Sequence, residues 1–166
     1  MTIELKPISR TAVPEALEKA ERYRLLNEPW AAQSICEDIL RVDPDNQEAL
    51  IHMVLAMADQ IRDGVSEAEA RKAAAGLRDE YHRAYYSGII CERYAKATLR
   101  SGHPGCGTIA SVSLHEAMRW FEKAESLRPP GNDDAILRWN TCARMILKNP
   151  ALELRQAEKY QEVIGE

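Results

Sequence analysis

At 166 residues the chain has the length of one domain and enough material to bury a core without disulfide or metal staples. A formal charge of −4 and a pI near 5.7 argue against a nucleic-acid binder, which needs clustered excess Lys and Arg to neutralise phosphate, and against an anionic membrane surface for the same reason. Six Tyr and three Trp against a single Phe, in a background rich in Ala and Leu, is the composition of closely packed helices.

Residues 1–10 carry charges every few positions and contain no apolar h-region, so they read as an N-terminal tail with no signal peptide. No stretch approaches the roughly 20 apolar residues of a membrane span. Cytoplasmic localisation is expected. Cys36, Cys91, Cys106 and Cys142 are irregularly spaced without a C-x-x-C pair, and in a reducing compartment they read as buried free thiols.

The segment 13–46 is 34 residues long and divides into two helical halves. Asn27 suits the left-handed position that ends the first helix, Pro29 the first turn of the second, and Asp43-Pro44 its stop. Asp45-x-x-Glu48 and Ser66-x-x-Glu69 both read as capping boxes, opening helices near Asn46 and Glu67 with Asp63-Gly64 as the turn between them. A third unit starts near Tyr81, and its first helix runs to about Arg100 and ends at Ser101-Gly102. An inserted loop follows at about 101–112, after which Ser113-x-x-Glu116 opens a helix with the apolar stripe Leu114, Ala117, Met118, Phe121 and Ala124. A last helix over 133–148 begins at Asp133-Asp134, where negative charge complements the helix dipole, and stops at Asn149-Pro150. The polar tail 150–166 is either a short helical extension or a frayed end.

A 34-residue shift carries small Ala20 onto Val54 and Gly88, and Tyr23 onto Met57 and Cys91. With Ala32 and Pro44 in the first unit and Ala117, Phe121, Ala124 and Pro129 in the last, this spacing resembles the tetratricopeptide repeat (TPR). The family usually has Ala where Ile39 stands and a large aromatic where Ala16 stands. The resemblance covers about 13–148. It implies an all-α, right-handed α-α superhelix of about three TPR-like hairpins, repeats 13–46, 47–80 and 81–130, with 133–148 as the C-terminal capping helix and 11–149 as the whole repeat domain.

TPR proteins bind extended peptides or partner helices on the concave face of the first helices of their repeats. Carried over by register, that face comprises Leu17, Glu21 and Arg24, then Ile51 and Leu55, then Tyr85, Ile89 and Arg93. The resemblance thus implies a non-enzymatic interaction module or adaptor whose partner is another protein or peptide, with self-association open. Small acidic TPR proteins also include the bacterial type III secretion chaperones, which makes a chaperone for a secreted substrate the alternative. The Lys and Asn clamp by which chaperone-binding members hold a C-terminal carboxylate is replaced here by Leu17 and Glu21.

Of a different class is a small helical enzyme or ligand-binding protein with a pocket near His103 and Cys106. That loop supplies only two of the three or four ligands zinc requires, and it lacks the spacing of a phosphate loop. No spacing brings the histidines and cysteines together as a nucleophile and base. No metal, cofactor or catalytic residue is therefore expected.

Overall fold

The computed structural model describes residues 2–152. Within them the chain is all-helical, with seven α-helices and two short 3-10 turns, Arg10–Ala12 and Pro150–Leu152. The only β-type pairing among the described residues is the isolated bridge between Ile61 and Val65.

Helix α1 spans Val13–Leu25 and α2 Pro29–Val42. Their turn is built on Asn27, at φ 61°. The Glu28 amide reaches back to the Tyr23 carbonyl at 2.9 Å, and the Asn27 amide reaches that of Arg24 at 3.0 Å. These two bonds satisfy carbonyls that the end of α1 would otherwise orphan. Helix α3, Gln47–Asp59, is capped by Asn46, whose side chain accepts from the Ala49 amide at 2.9 Å. The expected Asp45–Glu48 box is thus displaced by one residue, since Asn46 holds the extended cap conformation and Asp45 lies exposed. Helix α4, Glu67–Ala75, starts in the expected capping box, with both arms of the Ser66–Glu69 exchange formed. The double hydrogen bond from Ser66 holds the Glu69 carboxyl below its ordinary range.

Helix α5, Glu80–Ser101, ends on left-handed Gly102 as expected. The next element departs from expectation. Helix α6 is Cys106–Leu127, so the loop expected over 101–112 shrinks to residues 102–105, and Ser113 is a buried mid-helix residue rather than a cap. The glycine and the β-branched Thr108, Ile109 and Val112 are poor helix formers, but tertiary packing outweighs that local preference. Ala110 and Ser111 are wholly enclosed, and the Ser111 hydroxyl donates to the Leu152 carbonyl at 2.6 Å. The extra residues therefore lengthen a hairpin instead of forming a loop, and α5 and α6 are both 22 residues long.

Helix α7, Asp134–Lys148, closes over α6 through Ala135, Cys142 and Ile146. Leu152, just past its end, is 1% exposed in the same core. Of the polar tail expected over 150–166, Pro150–Leu152 form the second 3-10 turn, and 153–166 lie outside the described residues.

Each helix packs on the next in sequence, and α1 also touches α3, α3 touches α5 and α5 touches α7. The largest core lies between α5, α6 and α7 around Phe121, a second between α3, α4 and α5, and a small one between α1, α2 and α3. The small residues at the 34-residue spacing, Ala20, Val54 and Gly88, are all buried. At Gly88 the reason is direct: a Cβ there would stand 2.5 Å from Phe121 Cε1. Tyr23, by contrast, is 38% exposed and lies in an apolar surface stretch with Leu25, Leu26 and Trp30.

Candidate functional site

Residues three and four apart share a helix face, so Leu17, Glu21 and Arg24 form one column on α1, and Glu48, His52, Leu55 and Asp59 another on α3. Both columns border the same two depressions. One, of about 550 Å³, is lined by Arg10, Leu17, Glu18, Glu21, Asp43 and Glu48 among others. The second, of about 440 Å³, lies at the C-terminal ends of α1 and α3 against α5 and includes Arg24, Asp59, Asp63, Arg93 and Arg100.

Asp59 joins three helices at this second depression. Arg24 Nη1 donates to Asp59 Oδ2 at 3.1 Å, and Arg93 Nε approaches Asp59 Oδ1 at 3.4 Å. The Arg24 and Asp59 side chains are each only 21% exposed, which shields the pair from solvent screening more than a surface contact. Arg100, exposed two turns further along α5, and Asp63 also line the depression, so three guanidinium groups face two carboxylates and one positive charge is in surplus. A third depression of about 410 Å³ continues past Arg100 to Arg62 and His103.

The two depressions differ in sign. In the first, Arg10 is paired with Asp43 at 3.3 Å. Among the described residues, Glu18 and Glu21 have no ion-pair partner, and Glu48 has only His52 at 3.9 Å. Carboxylates thus dominate one end of the face and guanidinium groups the other.

The sequence-derived face is divided by this arrangement. Glu21 is exposed and Arg24 and Arg93 converge on Asp59, whereas Leu17 is 8% exposed and Ile89 only 1%. Ile51 and Leu55 are half-buried on the turns between Glu48 and Asp59. Tyr85 turns toward α6, its ring 5.8 Å from that of Tyr81 and 5.9 Å from that of Phe121. Burial raises its phenol, offset in part by Arg138. Its neighbour Tyr86 is pushed up to about 12, chiefly by burial, and Arg24 lies close enough to oppose that shift. Sequence reasoning passed over Asp59, Arg100, Glu18 and Glu48. Asp59 stands 34 residues before Arg93, so the 34-residue spacing already contained the signal for it.

Two further polar clusters serve packing. Arg71 on α4 donates to Glu67 at 2.6 Å and to Glu116 on α6 at 2.8 Å, with Cys91 Sγ 3.3 Å from its guanidinium. The arginine hydrogen bond holds the Glu116 carboxyl below its usual range. Glu92, buried on α5, pairs with Lys96 and accepts from Arg138 on α7 at 3.3 Å. His103 borders the third depression, Cys106 is half-buried at the start of α6, and His115 Nδ1 is held 2.8 Å from the Ser111 carbonyl. Among the described residues no three His, Cys, Asp or Glu side chains gather closely enough to hold a metal ion. No helix among them is long and apolar enough to cross a membrane.

Burial pushes the thiols of Cys36, Cys91 and Cys142 up to about 12 in each case, which keeps them protonated and unreactive at neutral pH. A disulfide-exchange reagent at pH 8 is expected to titrate one thiol quickly in the native protein and the remaining three only on unfolding. Loss of the fast phase in Cys106→Ser would assign it, and a second fast thiol would contradict this burial.

Compared with protein-family models, curated proteins and solved structures, the chain gives no match.

Proposed function

We propose that the chain is a TPR-like array of helical hairpins, α1–α2, α3–α4 and α5–α6 with α7 as cap, that binds an extended segment of another protein by contact rather than by catalysis. The observation that carries this reading is the convergence of α1, α3 and α5 on Asp59, beside open depressions on the same face. Odd-numbered helices in mutual contact, each hairpin packed on the next, are what stacking of such units requires. The face combines half-buried aliphatic side chains with charged rims, which suits main-chain and side-chain contacts to an extended segment. Arg24, Asp59 and Arg93 are already oriented by ion pairs, so little ordering cost falls on that end of the face.

Photo-crosslinking in the native lysate tests the location. A photoreactive residue in place of Glu21, exposed on α1, is expected to capture a defined protein, while one in place of Glu37, exposed on α2, captures none. Capture from position 37 alone would move the interaction to the opposite surface and overturn this reading.

A further inference from the structure

The carboxylate-lined and guanidinium-lined depressions share one face of α1 and α3, and that order of charge specifies more than a groove. Given the interaction reading above, on which this inference rests, we propose that the bound segment is bipolar: it places Asp or Glu against Arg24, Arg93 and Arg100, and Lys or Arg against Glu18, Glu21 and Glu48. The two ends are seven residues apart on α1, from Leu17 to Arg24, and eleven apart on α3, from Glu48 to Asp59. At about 1.5 Å of rise per helical residue these separations are roughly 10 and 16 Å. An extended ligand covers about 3.3 Å per residue, so its opposite charges stand about three to five residues apart.

The intervening positions are restricted too. Ile51 and Leu55 lie half-buried on the turns of α3 between the two ends, so the middle of the segment carries small or aliphatic side chains. A uniformly acidic segment meets Glu18 and Glu21, and a uniformly basic one meets Arg24, Arg93 and Arg100. Like charges brought together in this way cost affinity, so the face selects against both.

A random-peptide display selection against the full chain tests the proposal, with the Ile51 and Leu55 methyl signals in NMR reporting where peptides bind. Enriched peptides are expected to share acidic and basic residues separated by about three to five positions and to shift both methyl signals. Glu21→Lys and Arg100→Glu, both at exposed positions, are each expected to weaken such a peptide at least tenfold with unchanged circular dichroism. Replacing the peptide's basic end by Gln is expected to weaken its binding to the unaltered protein but to strengthen its binding to Glu21→Lys relative to the basic peptide, a compensation that general loss of stability would not produce. Peptides that shift the two methyl signals without this charge order overturn the bipolar proposal and leave the groove reading standing. An absence of peptides that shift them overturns both.

Discussion

Phe121→Ala is expected to destabilise the protein by about 3–5 kcal/mol, the range for emptying an enclosed aromatic site. For a chain of this size that corresponds to a fall in melting temperature of roughly 10 °C. Phe121 is the single Phe of the sequence, 0% exposed, and the centre of the core that joins α5, α6 and α7. Its ring fills the notch over Gly88 and packs against Tyr85. Its neighbours sit on the two longest helices and cannot easily collapse into the space. A denaturant midpoint shift equivalent to under about 1 kcal/mol would show that the ring is not enclosed.

Gly88→Ala reverses a familiar sign. In the middle of a helix such as α5, alanine normally stabilises by about 0.5–1 kcal/mol over glycine. Here the new methyl carbon would lie 2.5, 2.7 and 2.9 Å from three atoms of the Phe121 ring, which has no space to retreat. The substitution is therefore expected to cost about 1–3 kcal/mol, as overpacked cores do. Combined with Phe121→Leu it should cost less than the two single effects summed, by about 1 kcal/mol or more, because one contact underlies both. Strict additivity in a double-mutant cycle, or stabilisation by Gly88→Ala alone, would contradict the packing.

The contrast between Gly88 and Ser113 indicates what the sequence could and could not disclose. Local signals with a mechanism survived: left-handed Asn27, the Ser66–Glu69 box and the glycine stop at Gly102 all end or begin helices where residue chemistry predicts. Periodicity placed Ala117, Phe121 and Ala124 on the buried stripe of α6. Ser113 misled because its pattern is that of a cap, while the signal that mattered, the fit of Ala110 and Ser111 against distant partners, is not local. The candidate site divided in the same way. Register brought Arg24 and Arg93 to one place, but a column of equivalent positions does not reveal which way a side chain turns. Tyr85 therefore went to the α6 side, and the charge that organises the face, Asp59, was overlooked although it lies 34 residues before Arg93.

The uneven cores have a consequence for how the face responds to temperature. The core shared by α1, α2 and α3 holds Val13, Leu17, Ile39 and Ala49, far fewer residues than the one around Phe121. In a stack where each unit leans on its neighbours, opening begins at the least supported end, and the first hairpin is the one with lowest cost. Glu18 and Glu21 ride on that hairpin, while Arg93 and Arg100 are fixed to the long, heavily packed α5. Detaching α1 breaks the Arg24–Asp59 bond and carries Glu18, Glu21 and Arg24 away from Glu48, Arg93 and Arg100 without disturbing the Phe121 core. A segment that bridges the ends would act as a splint across the weakest joint, so that occupancy and local folding of the first hairpin rise together.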